Sequence, residues 1–272
     1  MALLYSFLYQ LLFTVGVIVL FGLLISLIRR AFLALMGESG NVALLIMGIV
    51  GTPVHEFSHA LACLIFGHKI KDVKLYDPKL RDGSLGYVKH TYNHKNLYHQ
   101  IGNFFISTAP IVVGALIIYH LMMFMTPQVY GNARVELSSL AGLADGGFEM
   151  GEIVDCLWCI LRLFLAILDF SNVNNVRWWA FIVISLMILS HMELSASDIK
   201  LGFKGFLFLA GMLLAVDTVL FFFFKDSLSS VTSFAVTIGV TLASFMTLSL
   251  SFCLLLLLLS LIVRGIMMLF GR

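Results

Sequence analysis

Apolar stretches of 18 or more residues recur along this chain of 272 residues, and each can cross a hydrocarbon core of about 30 Å as a helix. Inside lipid every backbone N–H and C=O has to be satisfied within the structure, so only helices and closed barrels span a bilayer. Six stretches read as helical spans, at about 3–28, 42–66, 101–125, 177–194, 205–224 and 231–263. The last is too long for one straight crossing and is expected to tilt or run into the interface. Hydrophobic residues make up 60% of the chain and charged residues 12%, far from the roughly 45–50% and 25% of a soluble domain. The expected fold is an all-α polytopic membrane protein in contact with a lipid bilayer. With no repeat or linker evident, it reads as a single integral membrane domain over 1–272.

Residues 1–28 lack Lys and Arg, unlike the basic start of a secretory signal, and read as a retained first span. Basic residues in the connections orient the chain. With both termini in the cytosol, eleven of the seventeen Lys and Arg lie inside, seven of them between Lys69 and Lys95. The opposite orientation reverses the balance. The third connection is acidic (Glu136, Asp145, Glu149, Glu152, Asp155, Asp169) and is expected outside. These readings place the protein in a cytoplasmic membrane, expected to be bacterial. A net charge of +2 gives no ground for nucleic-acid binding.

Two connections carry structure of their own. Lys69 to Tyr92 is rich in β-favouring residues (Ile70, Val73, Leu75, Tyr87, Val88) around a turn signal at Asp82-Gly83, which predicts a cytosolic hairpin at about 70–88. Ile153 to Phe170 is apolar but carries Asp155, Arg162 and Asp169, and fits an interfacial helix.

The second span contains TPVHEFSHAL at 52–61. Ionisable groups inside a bilayer cost about 2.5–3.5 kcal/mol each on insertion scales, so they mark function. On a helix His55 and His59 share one face. That spacing lets both imidazoles hold one metal ion, zinc by default, with Glu56 placed to accept a proton from water.

A His-Glu-x-x-His inside a span, followed by a hairpin and a span with a small residue before proline, resembles the site-2 protease family of intramembrane metalloproteases. The matching residues are HEFSHA (55–60), the hairpin through Gly86-Tyr87-Val88, and IGNFFISTAPIVVG (101–114). Ala109-Pro110 stands where that family often has Ala-Gly-Pro. The metalloprotease-like core extends over about 42–225, with an extra C-terminal span at 231–263. The resemblance implies one Zn2+ per chain, Glu56 as catalytic base, and cleavage of a membrane-protein substrate at the cytosolic side.

The family's third ligand is an aspartate in an Asn-Pro-Asp-Gly or Leu-Asp-Gly element, and this chain has neither. Asp198 is favoured because it shares the cytosolic side with the last turns of span two, provided that the turn at 195–198 dips inward. Ser195 to Asp198 also reads as a capping box opening the next helix. Asp217 is the alternative, Asp169 falls on the outer side, and His191 and Glu193 are outsiders. Gly86, Tyr87 and Val88 are expected to clamp an extended substrate by strand addition.

The remaining candidates read more simply. Cys63 and Cys253 are small apolar fillers within spans, and Cys156 and Cys159 have no second pair to complete a metal site. His90 and His94 are four apart, but Lys89, Asn93 and Lys95 around them suggest a solvated loop; His68 and His99 belong at the interface. Two rival functions stand beside hydrolysis. One is a non-catalytic membrane protein of the same fold serving assembly or binding; the other is metal transport through His55, His59 and Asp217.

Overall fold

The computed structural model describes residues 2–80, 84–142 and 150–269. The Asp82-Gly83 turn signal lies outside the described residues, as do Asp145 and Glu149 and the side chains of Glu152, Asp155 and Cys156.

Helix α1 (Ala2–Leu11) passes through a π-turn at Leu12–Gly16 into α2 (Val17–Met36), and Gly37 at φ 56° ends the run. Next come α3 (Glu38–Ile65) and an antiparallel hairpin of β1 (Lys69–Lys74) and β2 (Tyr87–Thr91). Its register pairs Val73 with Val88 and Ile70 with His90, with an irregularity between Ile70 and Asp72. Helix α4 (Leu97–Met125) starts at Asn96, whose side chain accepts from the Tyr98 N–H at 2.9 Å. Then follow α5 (Pro127–Gly142), α6 (Met150–Ile167), a 3-10 turn at Phe170–Asn172, α7 (Val176–Leu189), α8 (Ala196–Phe223) and α9 (Lys225–Leu269).

Among the described residues, five helical segments are long and apolar enough to cross a membrane: Leu3–Met36, Glu38–Ile65, Leu97–Met125, Ala196–Phe223 and Ser227–Leu269. This fits an all-α integral membrane protein. The expected span at 177–194 is a helix of only 14 residues, α7, about 21 Å long at 1.5 Å per residue. It stops at Leu189 because the chain turns through Ser190 to Ser195 before α8. Helix α9 runs for 45 residues, since no proline occurs after Pro127 to interrupt it. The stretch expected as an interfacial helix is α6, which buries Cys159, Leu163 and Ile167 on one stripe and leaves Trp158, Leu161 and Leu165 exposed.

Helix α4 lies at the centre, packed by α3, α7, α8 and α9. The core runs along it through Ile111, Ile118 and Met122, and reaches α7 and α9 where Phe181 meets Phe252 edge-on. Two glycine seams set the close approaches. A Cβ on Gly205 of α8 would stand 2.1 Å from the Phe104 nitrogen of α4. A Cβ on Gly51 of α3 would stand 2.2 Å from the Met187 carbonyl oxygen of α7. Small residues allow helix backbones to touch in lipid, where no hydrophobic force drives them together.

Gly205→Ala is therefore expected to destabilise the folded chain by about 1–3 kcal/mol through overpacking. Gly211→Ala, whose Cβ meets no atom within 4 Å, is expected to be neutral or slightly stabilising. Thermal unfolding in detergent checks this pair; equal transition temperatures would contradict the seam.

Candidate metal centre

Helix α3 presents His55 and His59 one turn apart, and the proteins' other elements fix each ring from behind. His55 Nδ1 donates to the His191 carbonyl at 2.6 Å, and His59 Nδ1 donates to the Ile106 carbonyl at 2.7 Å. Carbonyls only accept, so a neutral ring at either position carries its proton on Nδ1 and leaves Nε2 bare. The two Nε2 atoms lie 3.0 Å apart. Neither can donate to the other in that tautomer, and a shared cation is the partner that suits two facing lone pairs. Metal-bound histidines are held in this manner, with the far nitrogen hydrogen-bonded to a carbonyl or carboxylate.

The two carbonyls are available for identifiable reasons. Ile106 sits four residues before Pro110 in α4, and proline has no N–H to give it. The oxygen that the helix leaves free is the one His59 uses. His191 lies past the end of α7, in a turn that Gly51 admits against α3: a Cβ there would meet His191 Nδ1 at 2.6 Å. Arg29 steadies that turn by donating to the Ser190 carbonyl at 3.1 Å and pairing with Glu193.

Asp198 joins the two histidines. Its Oδ1 lies 3.5 Å from His59 Nε2, and one donor atom from each of His55, His59 and Asp198 falls within a 4.8 Å group. Zinc bonds of about 2.0–2.2 Å in tetrahedral geometry need donors about 3.3–3.5 Å apart, close to the 3.0 Å between the two histidines and the 3.5 Å from His59 to Asp198. The same residue is also the capping box: Oδ2 accepts from the Ser195 N–H at 2.9 Å, and Ser195 Oγ accepts from the Asp198 N–H at 3.1 Å. One carboxylate oxygen caps α8 while the other faces the histidines. The seam at Gly202 and Gly205 presses α8 onto α4 and carries Asp198 to this depth.

Asp217 is elsewhere. It is fully buried, and its Oδ1 accepts from Gln10 Nε2 at 2.8 Å while Gln10 also reaches Thr232 at 3.2 Å. It ties α1, α8 and α9 together. Asp169 caps the 3-10 turn by accepting from the Ser171 N–H at 3.0 Å, a bond that lowers its carboxyl below the usual range. His191 and Glu193 line the site without joining the donor group.

The three groups face a cavity of about 630 Å³. Glu56, 7% exposed, forms part of its wall and makes no hydrogen bond or ion pair among the described residues. Gly86, Tyr87 and Val88 line the same cavity from the hairpin. A Cβ on Gly86 would meet Thr52 and Glu56 side-chain carbons at 2.8 and 2.9 Å, so only glycine brings the hairpin this close. Thr52 Oγ1 is buried in the wall with no hydrogen-bond partner among the described residues, a donor that a bound group can engage. His90 also reaches the cavity; its ring pairs with His68, not with His94, which lies against Tyr92.

Sequence reasoning missed the two carbonyls, Gly51 and the Arg29–Glu193 pair. Pro110 carried a readable signal, since an intrahelical proline always frees the carbonyl four residues earlier. No protein-family model matches the chain, and comparisons with curated proteins and with solved structures return no match.

Pro110→Ala supplies an N–H that competes with His59 for the Ile106 carbonyl. Zinc affinity, measured by competition with a chelating dye, is expected to fall about tenfold, the usual scale for losing an outer partner. Thermal stability of the metal-free chain is expected to hold or rise. Unchanged affinity would show that the carbonyl does not orient His59.

Proposed function

We propose that this chain is an intramembrane zinc metalloprotease of the site-2 type, cleaving a peptide bond in or near a transmembrane segment of a membrane-protein substrate. The observation that carries the reading is the facing pair of Nε2 atoms 3.0 Å apart, with Asp198 beside them and Glu56 in the same cavity. His55, His59 and Asp198 would hold the zinc, which when bound would supply a Lewis acid and acidify water to a pKa of about 7. Glu56 accepts the attacking water's proton and passes it to the amine leaving from the scissile bond. Transport of a passing ion has no use for a carboxylate in that position.

A transmembrane helix hides its backbone in its own hydrogen bonds, so the segment to be cut must first be extended. Gly86, Tyr87 and Val88 border the cavity on the hairpin, and strand addition there replaces the bonds that the helix gives up. In this reading α7 counts as a sixth, short span. The termini and the hairpin face the cytosol, where most of the Lys and Arg lie.

Glu56→Gln is expected to keep one zinc per chain on His55, His59 and Asp198 while product formation drops about 10²–10⁴-fold, the range for removing a general base. Product is read as new N-termini within transmembrane segments, by terminal sequencing of membrane proteins from cells expressing either form. Asp198→Asn is expected to lower zinc affinity while Asp217→Asn leaves it unchanged. Glu56→Gln producing the same termini as wild type would remove proteolysis from consideration.

A further inference from the structure

The face of α3 that carries His55 and His59 continues one turn further to Cys63. Cys63 is fully buried, in a small cluster with Ala62, Ile106 and Ala109 that Phe66, Ile70 and Val88 cover. The helix ends there in a Schellman turn: the His68 N–H bonds to the Cys63 carbonyl at 2.8 Å and the Gly67 N–H to the Leu64 carbonyl at 3.3 Å. Gly67 supplies the positive φ of 69° that this turn requires. The turn sets His68 back over Cys63, five residues away in sequence and rigidly related to it.

Strand β2 brings a third donor. His90 lies with its Nδ1 3.1 Å from His68 Nδ1. His68 Nε2 donates to the His99 carbonyl at 3.0 Å, so its Nδ1 is the bare nitrogen. Tyr92 stacks on the His68 ring at 4.8 Å and 13°, which holds the imidazole plane. One donor atom from each of Cys63, His68 and His90 falls within a 4.8 Å group. Zinc–nitrogen bonds of about 2.0–2.1 Å and a zinc–sulfur bond of about 2.3 Å need donor separations of about 3.3–3.6 Å. The cluster has the donor types, a bare Nδ1 on His68 and nitrogens close to the required spacing.

We propose that Cys63, His68 and His90 form a second metal site, taking one borderline-soft transition-metal ion of the zinc class and clasping the hairpin to the end of α3. Thiolate and imidazole are the ligands such ions prefer over calcium or magnesium. Binding displaces the Cys63 thiol proton to solvent and leaves both imidazoles neutral. Because His90 also lines the candidate cavity, the ion fixes the stance of β2 beside His55 and His59. The site stands on its own donors and does not depend on the proposed hydrolysis.

Cobalt(II) titration of the tag-free full chain in detergent tests this, because thiolate ligation gives a near-ultraviolet charge-transfer absorption that a histidine–carboxylate site lacks. Wild type is expected to bind two cobalt ions per chain and show that absorption. His59→Ala is expected to bind one ion and keep the absorption; Cys63→Ala is expected to bind one ion and lose it. His90→Gln removes a donor from the strand without touching the helix, and is expected to lose the second ion as well. Absence of the charge-transfer absorption in wild type, or its survival in Cys63→Ala, would overturn the proposal.

Discussion

Two hydrogen bonds from imidazole N–H groups to backbone carbonyls organise the centre of this protein. His55 gives its proton to His191 and His59 gives its proton to Ile106, so each Nε2 faces the other as an acceptor. Two bare acceptor nitrogens 3.0 Å apart repel each other unless a cation lies between them. The chain commits three helices to this arrangement. Helix α3 bears the rings, α4 offers one carbonyl through its proline, and the turn after α7 offers the other.

Close backbone packing is what makes those bonds reachable. Gly51 admits the turn after α7, Gly86 admits the hairpin against Glu56, and Gly202 with Gly205 admits α8 against α4. In each case a methyl group would displace the element that carries a donor or a wall of the cavity. The seams are structural in origin and chemical in consequence. Polar pairs elsewhere, such as Gln10 with Asp217, join distant helices in the same way without approaching the cavity.

Much of this was legible beforehand, and the misses have physical causes. The long apolar runs announced the helices, and the His-Glu-x-x-His spacing announced a shared helix face, because both depend on local periodicity. The strands were visible in the β-branched residues around Val73 and Val88. Asp198 was seen both as a cap and as a ligand candidate, and the structure gives its two oxygens different neighbours. The 14-residue length of α7 was not visible, since Ser190 to Ser195 follows an apolar run without a proline or glycine to mark the stop. His90 was compared with His94 by spacing, whereas the Schellman turn at Gly67 brings His68 to it. Cys63 looked like filler because its neighbours in space come from a turn and a strand that sequence periodicity does not connect.

The central claim is that His55, His59 and one carboxylate hold zinc. X-ray absorption at the zinc edge, recorded on the Cys63→Ala chain loaded with one equivalent of zinc, addresses it without any substrate. The account predicts only nitrogen and oxygen neighbours at about 2.0–2.2 Å, with the outer-shell scattering of two imidazoles and no sulfur. A sulfur neighbour, a six-oxygen shell, or zinc that washes away during desalting would contradict it.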